Sequence, residues 1–202
     1  MATIPKSYIT PEEYLEIDRK AERKSEYFAG EMFAMAGARE PHVLIVGNVA
    51  GELRQQVRTR PCRVYGSEMR VQVSATGMYV YPDVIVVCGE PQFLDERRDT
   101  LLNPNLIVEV LSESTEAYDR GKKFEHYRTL ESFSEYLLFS FDRINAELFT
   151  RQPDGRWLLS AANTLESSIE LPSIGCRLIL ADVYEKVDVS LVPFAGVRPL
   201  DR

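Results

Sequence analysis

The stretch NLIVEVLS, residues 105 to 112, limits most tightly what this chain can fold into. A short run dominated by Leu, Ile and Val reads as a buried strand. Side chains alternate across a strand, so Leu106, Val108 and Val110 share one face while Ile107, Glu109 and Leu111 share the other. The second face therefore carries a carboxylate where an ionised group without partners costs roughly several kcal/mol to bury. What covers Glu109 decides what the strand is for.

The same kind of pattern begins at Pro61. CRVYG, MRVQVS, MYVYPDVIVVCG and NLIVEVLS alternate with period two or run continuously apolar, and together they predict the central sheet. Upstream, Thr10, Pro11 and Glu13 occupy N-cap, first-turn and capping-box positions and predict a helix from about residue 11 to 24. SEYFAGEMFAMAG predicts a hairpin around Ala29-Gly30. PHVLIVGNVAGELRQQVRTR has helical spacing, with Val43, Leu44, Val46 or Gly47, Ala50, Leu53 and Val57 as its apolar face.

Downstream, STEAYDRGKKFEHYRTLES predicts a helix beginning near Ala117 to Asp119, and SEYLLFSF a strand. A hairpin turning at Pro153-Asp154-Gly155, a strand at SSIELP and a short helix at ADVYEKV complete the chain. This order predicts an α/β or α+β architecture, a sheet with helices packed on it. The 202 residues suit a single domain spanning 1–202, without internal repeats or linkers.

An apolar share of 45% and a charged share of 27% are those of a soluble globular protein, and no run is long enough for a membrane span. The N-terminus lacks a basic-then-apolar signal pattern, so a cytoplasmic location is the default expectation. Cys62, Cys88 and Cys176 stand far apart without a CxxC pair and read as small core residues, forming neither a disulfide framework nor a zinc site. The net charge of -7 argues against broad charge-driven nucleic-acid binding, while leaving room for a local basic groove. Arg54, Arg58, Arg60 and Arg63 read chiefly as a solvated face.

YPDVIVV, residues 81 to 87, repeats the oddity of the opening stretch: one carboxylate, Asp83, in an otherwise apolar run. Two acids on separate strands, each where an apolar residue would serve stability better, suggest a shared purpose. A hard divalent cation such as Mg²⁺ takes oxygen ligands from one or two carboxylates and keeps several waters. The helix that follows offers two lysines. At about 100° per residue, Lys123 falls inside the apolar arc of Phe124, Tyr127 and Leu130, whereas Lys122 lies roughly 130° from its centre. Asp119, Lys123 and Tyr127 form an i, i+4 row. Lys123 is aimed at the sheet.

Asp83 in PD, Glu109 in EVL and a lysine soon after them resemble the PD-(D/E)XK nuclease superfamily. YPDVIVV, NLIVEVLSESTEAYDRGKKFEHYRTLESFSEYLLFS and SEYFAGEMFAMAGAREPH more narrowly resemble the bacterial "putative restriction endonuclease" family, the Uma-two type domain, from about Tyr14 to Tyr184. The resemblance implies a restriction-endonuclease-like fold: a central mixed β-sheet flanked by helices, with an added N-terminal helix and hairpin and C-terminal strands. It implies a Mg²⁺- or Mn²⁺-dependent endonuclease acting on nucleic acid, with DNA the expected substrate. Asp83 and Glu109 would be metal ligands, and Asp83, Glu109 and Lys123 the catalytic set. The position two after Glu109 is Leu111, so the superfamily's lysine is carried over to Lys123 on the following helix. Glu26, Glu31 and His42 match the family's recurrent N-terminal positions and are possible additional site residues.

Plainer readings stand beside these. Asp83 could be a strand-start residue bonding local backbone, Glu109 an ion-paired core acid, Lys123 a snorkelling side chain and His42 a helix cap. The alternative function is then a catalytically inactive nuclease-fold protein that binds nucleic acid or protein. A homodimer is compatible with either.

Overall fold

The computed structural model describes residues 8–189. The chain runs in order α1 (Pro11–Asp18), β1 (Ser25–Phe28), β2 (Glu31–Ala34), α2 (Glu40–Val57), β3 (Cys62–Gly66), β4 (Arg70–Val73), β5 (Met78–Val80), β6 (Val84–Cys88), β7 (Thr100–Leu101) and β8 (Leu106–Leu111). It continues with α3 (Glu116–Tyr118), a π-helical turn (Asp119–Lys123), α4 (Phe124–Tyr127), β9 (Glu135–Ser140), β10 (Ala146–Arg151), β11 (Trp157–Ala162), β12 (Ser168–Leu171), β13 (Cys176–Ile179) and α5 (Leu180–Val183).

The central sheet is six-stranded in the order β11-β10-β9-β8-β6-β3. Its β8–β9 pair is parallel and its other pairs antiparallel, so the sheet is mixed as expected. A second sheet of five short strands takes the order β2-β1-β5-β4-β7. The alternation in NLIVEVL maps onto two layers. Leu106, Val108 and Val110 pack with Ile45, Val49, Leu53 and Val57 of α2, while Ile107 and Leu111 pack with Phe124 and Tyr127 of α4 and with Val71, Val73 and Val80 of the second sheet. Each such fully buried aliphatic residue contributes about 1.5–3 kcal/mol, which holds the layers together.

The expected four-stranded central sheet is not what forms. MYVYPDVIVVCG divides at Tyr81-Pro82-Asp83, its first half going to the second sheet as β5 and its second half to the central sheet as β6. Proline cannot donate to a strand ladder, so the chain changes sheets there. MRVQVS likewise joins the second sheet as β4.

Helix α1 has the predicted capping box between Thr10 and Glu13 but ends at Asp18, short of residue 24. There the Asp18 carboxylate takes the backbone N–H of Ser25 at 2.8 Å, the Arg70 guanidinium at 2.6 Å and the Tyr81 hydroxyl, and the chain turns around it. The buried row of α2 is Pro41, Ile45, Val49, Leu53 and Val57, which keeps the predicted Leu53 and Val57, while Val43 points outward at 56% exposed. The hairpin at Ala29-Gly30 forms with positive φ at both residues, 51° and 86°, the geometry of a type I′ turn. A Cβ at Gly30 would also meet the Tyr8 ring at 2.2 Å.

The cysteine reading needs correction. The antiparallel register sets Cys62 opposite Cys88 with their Cα atoms 4.0 Å apart, and the two form a disulfide. Their 26-residue separation gave no hint of this, because pairing depends on which strand lies beside β6. Cys176 is buried in the core as expected. Among the described residues no helix is long and apolar enough to cross a membrane.

Candidate functional site

Strand pairing assembles the acids. Val84 lies opposite Val108, and Asp83, one residue before β6, meets Glu109 at the next position. The Asp83 N–H approaches Glu109 Oε2 at 3.4 Å, and Asp83 Oδ2 accepts the Val110 N–H at 2.8 Å. Each carboxylate thus accepts a backbone N–H from the other strand. The N–H that Asp83 takes is not local but lies 27 residues away on β8, its Oδ1 accepts no hydrogen bond among the described residues, and its side chain is 16% exposed.

The helical segment after β8 brings the cation. Lys123 is buried and Lys122 exposed, as the helical arc predicts. The Lys123 ammonium lies 2.8 Å from Glu109 Oε1, 3.2 Å from Glu26 Oε1 and 3.5 Å from Asp119 Oδ1. Tyr127 donates its hydroxyl to the same Glu109 Oε1 at 3.0 Å. The π-helical turn was not foreseen. It carries Asp119 and Lys123 as its two buried residues, and such turns insert an extra residue that re-aims side chains. Tyr136 steadies the turn by donating to the Asp119 carbonyl at 3.1 Å.

The other candidates fall around this centre. Glu26 on β1 reaches Lys123, and His42 in the first turn of α2 brings Nε2 within 3.3 Å of Asp83 Oδ2. Glu31 opens β2 opposite Phe28. The pairing places it on the hairpin face that holds Glu26 and Phe28, with Phe28 against the His126 ring at 4.6 Å. Asp83, Glu109, Lys123, Glu26 and His42 are therefore joined by direct contacts. Asp119 and Tyr127 belong with them, and both stand on the i, i+4 row through Lys123 that the sequence shows; the bond from the Tyr127 hydroxyl to Glu109 is what the row alone does not give.

Burial and charge set the protonation. Burial raises the Glu109 carboxyl to about 8 against the pull of Lys123, with the charges of Asp119 and Asp83 adding to the rise. Asp119 is also raised, chiefly by burial. Burial draws Lys123 downward, but Glu109 and its other acidic and phenolic neighbours outweigh this and hold the ammonium charged. Burial lowers His42 too, and the hydrogen bond and charge of Asp83 outweigh it, so the net shift is upward. One lysine and one histidine face four carboxylates, an excess of acid that favours a further cation.

Among the described residues, no three His, Cys, Asp or Glu side chains stand ready as a metal cage. The ammonium of Lys123 fills the space between Glu26, Glu109 and Asp119. The donor chemistry nevertheless fits a hard divalent ion. Among the described residues Asp83 Oδ1 is unengaged and Glu109 Oε2 has only the long contact from the Asp83 N–H.

A mixed sheet presenting two acids at facing positions, with a lysine brought in from the next helix, defines a protein of nuclease-like fold. The chain is structurally similar to a crystal structure titled as a putative nuclease belonging to DUF820 from Anabaena variabilis ATCC 29413. The TM-score is 0.69 at 18% identity, covering 87% of this chain and 97% of that one. The chain belongs to the Uma2 family, described as "Putative restriction endonuclease", whose pattern matches residues 11–181. It is 35% identical to the uncharacterized protein sll1609 of Synechocystis sp. (strain PCC 6803) over 80% of this chain and 92% of that protein. A second uncharacterized protein of that organism, slr1290, is 35% identical over 91% of this chain and 94% of its own length.

Proposed function

We propose that the protein is a divalent-metal-dependent endonuclease that hydrolyses phosphodiester bonds of nucleic acid, with DNA as the substrate. The observation that carries this reading is the meeting of Asp83, Glu109 and Lys123 from three elements, with two carboxylate oxygens left able to take a cation. Asp83 and Glu109 would hold Mg²⁺ or Mn²⁺. Such an ion supplies Lewis-acid stabilisation of a phosphoryl oxygen and lowers the pKa of a coordinated water.

The chain's own residues do the rest. Val110 N–H and His42 fix the orientation of Asp83 through Oδ2. Tyr127 and Lys123 fix Glu109 through Oε1, leaving Oε2 with only the long contact from the Asp83 N–H. Lys123 places a positive charge beside the acids, where it orients an attacking water and offsets charge developing on phosphate. Glu26 and Asp119 hold that ammonium in place. Glu31, on the same face of the hairpin as Glu26, is proposed to complete the shell around the site.

One observation favours the plainer reading: Lys123 satisfies three acids at once, as a structural network would. Mn²⁺ calorimetry separates the two. Binding that disappears in Asp83→Ala supports the enzyme. No heat of binding, together with a raised melting temperature in Glu109→Leu, supports a non-catalytic nuclease-fold protein, because a structural ion pair can often be replaced by apolar packing.

A further inference from the structure

The hairpin of β1 and β2 brings an aromatic ring to the mouth of the acidic site. Glu26 lies directly opposite Phe33, and Phe28 opposite Glu31, so these four side chains share one face of the hairpin. Opposed residues hold their Cβ atoms about 4.5–5.5 Å apart. Glu26 Oε1 in turn lies 3.2 Å from the Lys123 ammonium, so Phe33 is a direct neighbour of a side chain that holds Lys123. Strand β2 is the edge of the second sheet among the described residues, and the Phe33 ring is 49% exposed. Only Tyr8 and Phe33 are exposed aromatics among the described residues, and Phe33 is the one set beside the acids.

The chain then returns to the site. From Met32 to Ala38 the sequence MFAMAGA carries no charge, and residues 36–40 are exposed. Nine positions after Phe33, His42 stands 3.3 Å from Asp83, with the exposed Val43 next to it in the chain. This segment thus meets the acids at both ends, at Glu26 through Phe33 and at Asp83 through His42.

Charge decides what such a mouth holds. Glu26 and Glu31 share the face of Phe33, and Glu26 adjoins the cluster of Lys123, Glu109 and Asp119. Acids at this density repel any phosphate that a cation does not offset. A nucleobase is neutral and planar, and its stacking on an exposed ring needs no counter-charge. Bases within a duplex are already stacked on their neighbours, so only an unpaired, splayed-out base can lie on Phe33.

We propose that Phe33 is the stacking platform for a nucleobase next to the phosphate that is cut, and that the site takes a strand unpaired at that point. This rests on the nuclease reading for its substrate class. Lys123 faces the phosphate while Phe33 holds the neighbouring base.

The test uses the full chain and a short single-stranded deoxyoligonucleotide carrying 2-aminopurine, whose fluorescence falls when the base stacks. Titration is done in Ca²⁺, with a gel to confirm that the strand stays whole. The wild type is expected to quench the probe and to bind it more tightly than the same sequence as a duplex. Phe33→Ala should lose about 5- to 100-fold in affinity, Phe33→Leu nearly as much, and Phe33→Tyr little. A strand of abasic sugar-phosphates should bind the wild type and Phe33→Ala alike, because it keeps the charge and lacks the bases. The ring is half open to solvent, so these variants leave the fold intact, and a melting curve checks it. Affinity unchanged in Phe33→Ala overturns the proposal, as does full affinity in Phe33→Leu, which would mark a plain apolar contact, or an equal loss on the abasic strand. Phe33-dependent binding without cutting in Mg²⁺ or Mn²⁺ upholds the platform and removes the enzyme. Cutting with Phe33-independent binding does the reverse, and neither binding nor cutting removes both.

Discussion

The Lys123 ammonium lies 2.8 Å from Glu109 Oε1, joining the central strand β8 to the helical segment that follows it. Both side chains are nearly inaccessible, and Glu26 and Asp119 crowd the same ammonium. The lysine is therefore the resident counter-charge of a buried acidic cluster. Replacing it with methionine should destabilise the metal-free protein by about 3–5 kcal/mol at neutral pH, because buried acids lose their partner. Urea unfolding in EDTA measures this. Added Mn²⁺ should restore more stability to Lys123→Met than to the wild type, and a loss below about 1 kcal/mol would show that the pair is not coupled as described.

Much of this pair was legible in the sequence. Period-two alternation put Glu109 on the face of Ile107 and Leu111, and period 3.6 turned Lys123 inward and Lys122 outward, because both depend only on local geometry. The partner of Asp83 was harder to read, since it depends on β6 lying antiparallel beside β8. The Cys62–Cys88 pairing stayed hidden for the same reason. The split of MYVYPDVIVVCG between two sheets turned on Pro82, whose effect on a strand ladder could have been weighed. The π-helical turn at Asp119–Lys123 had no local signal at all.

The pH dependence of stability follows from the raised carboxyl. Glu109, at about 8 in the folded protein against 4.5 in the unfolded chain, binds more protons folded than unfolded between those values. Its contribution is full below about 4.5 and is lost as pH rises through about 8. His42, also raised, acts in the same direction around neutrality. Asp99 and Glu147, held low by their hydrogen bonds to Arg19 and Arg120, oppose this only at more acidic pH. In EDTA the melting temperature should fall between pH 5 and 8, and Glu109→Gln should flatten the profile. A wild-type profile that rises over this window would contradict the assignment.

Tyr127 is expected to act through Glu109. Its hydroxyl donates to Glu109 from a buried position beneath the site, and Tyr127→Phe should cost about 0.5–1.5 kcal/mol of stability. If the enzyme reading holds, kcat should drop with little change in KM, since the tyrosine orients a ligand and does not touch substrate. Equal stability and kcat in Tyr127→Phe would mean the bond is dispensable.

The Cys62–Cys88 link closes β3 against β6 at the edge of the central sheet. Reduction should lower stability by about 2–4 kcal/mol, read as a drop in melting temperature with dithiothreitol that is absent in Cys62→Ala. A reducing cytoplasm would keep the two as thiols, so the size of this drop also states how far the fold depends on its compartment.

The central claim is that Asp83 and Glu109 hold a divalent ion that cuts nucleic acid. Its most direct test is incubation of supercoiled plasmid DNA with purified protein in Mg²⁺, Mn²⁺ or EDTA, scored by conversion to nicked and linear forms. Cutting is expected in either metal, none in EDTA, and none in Asp83→Ala or Glu109→Ala. Cutting that persists in both variants would contradict it.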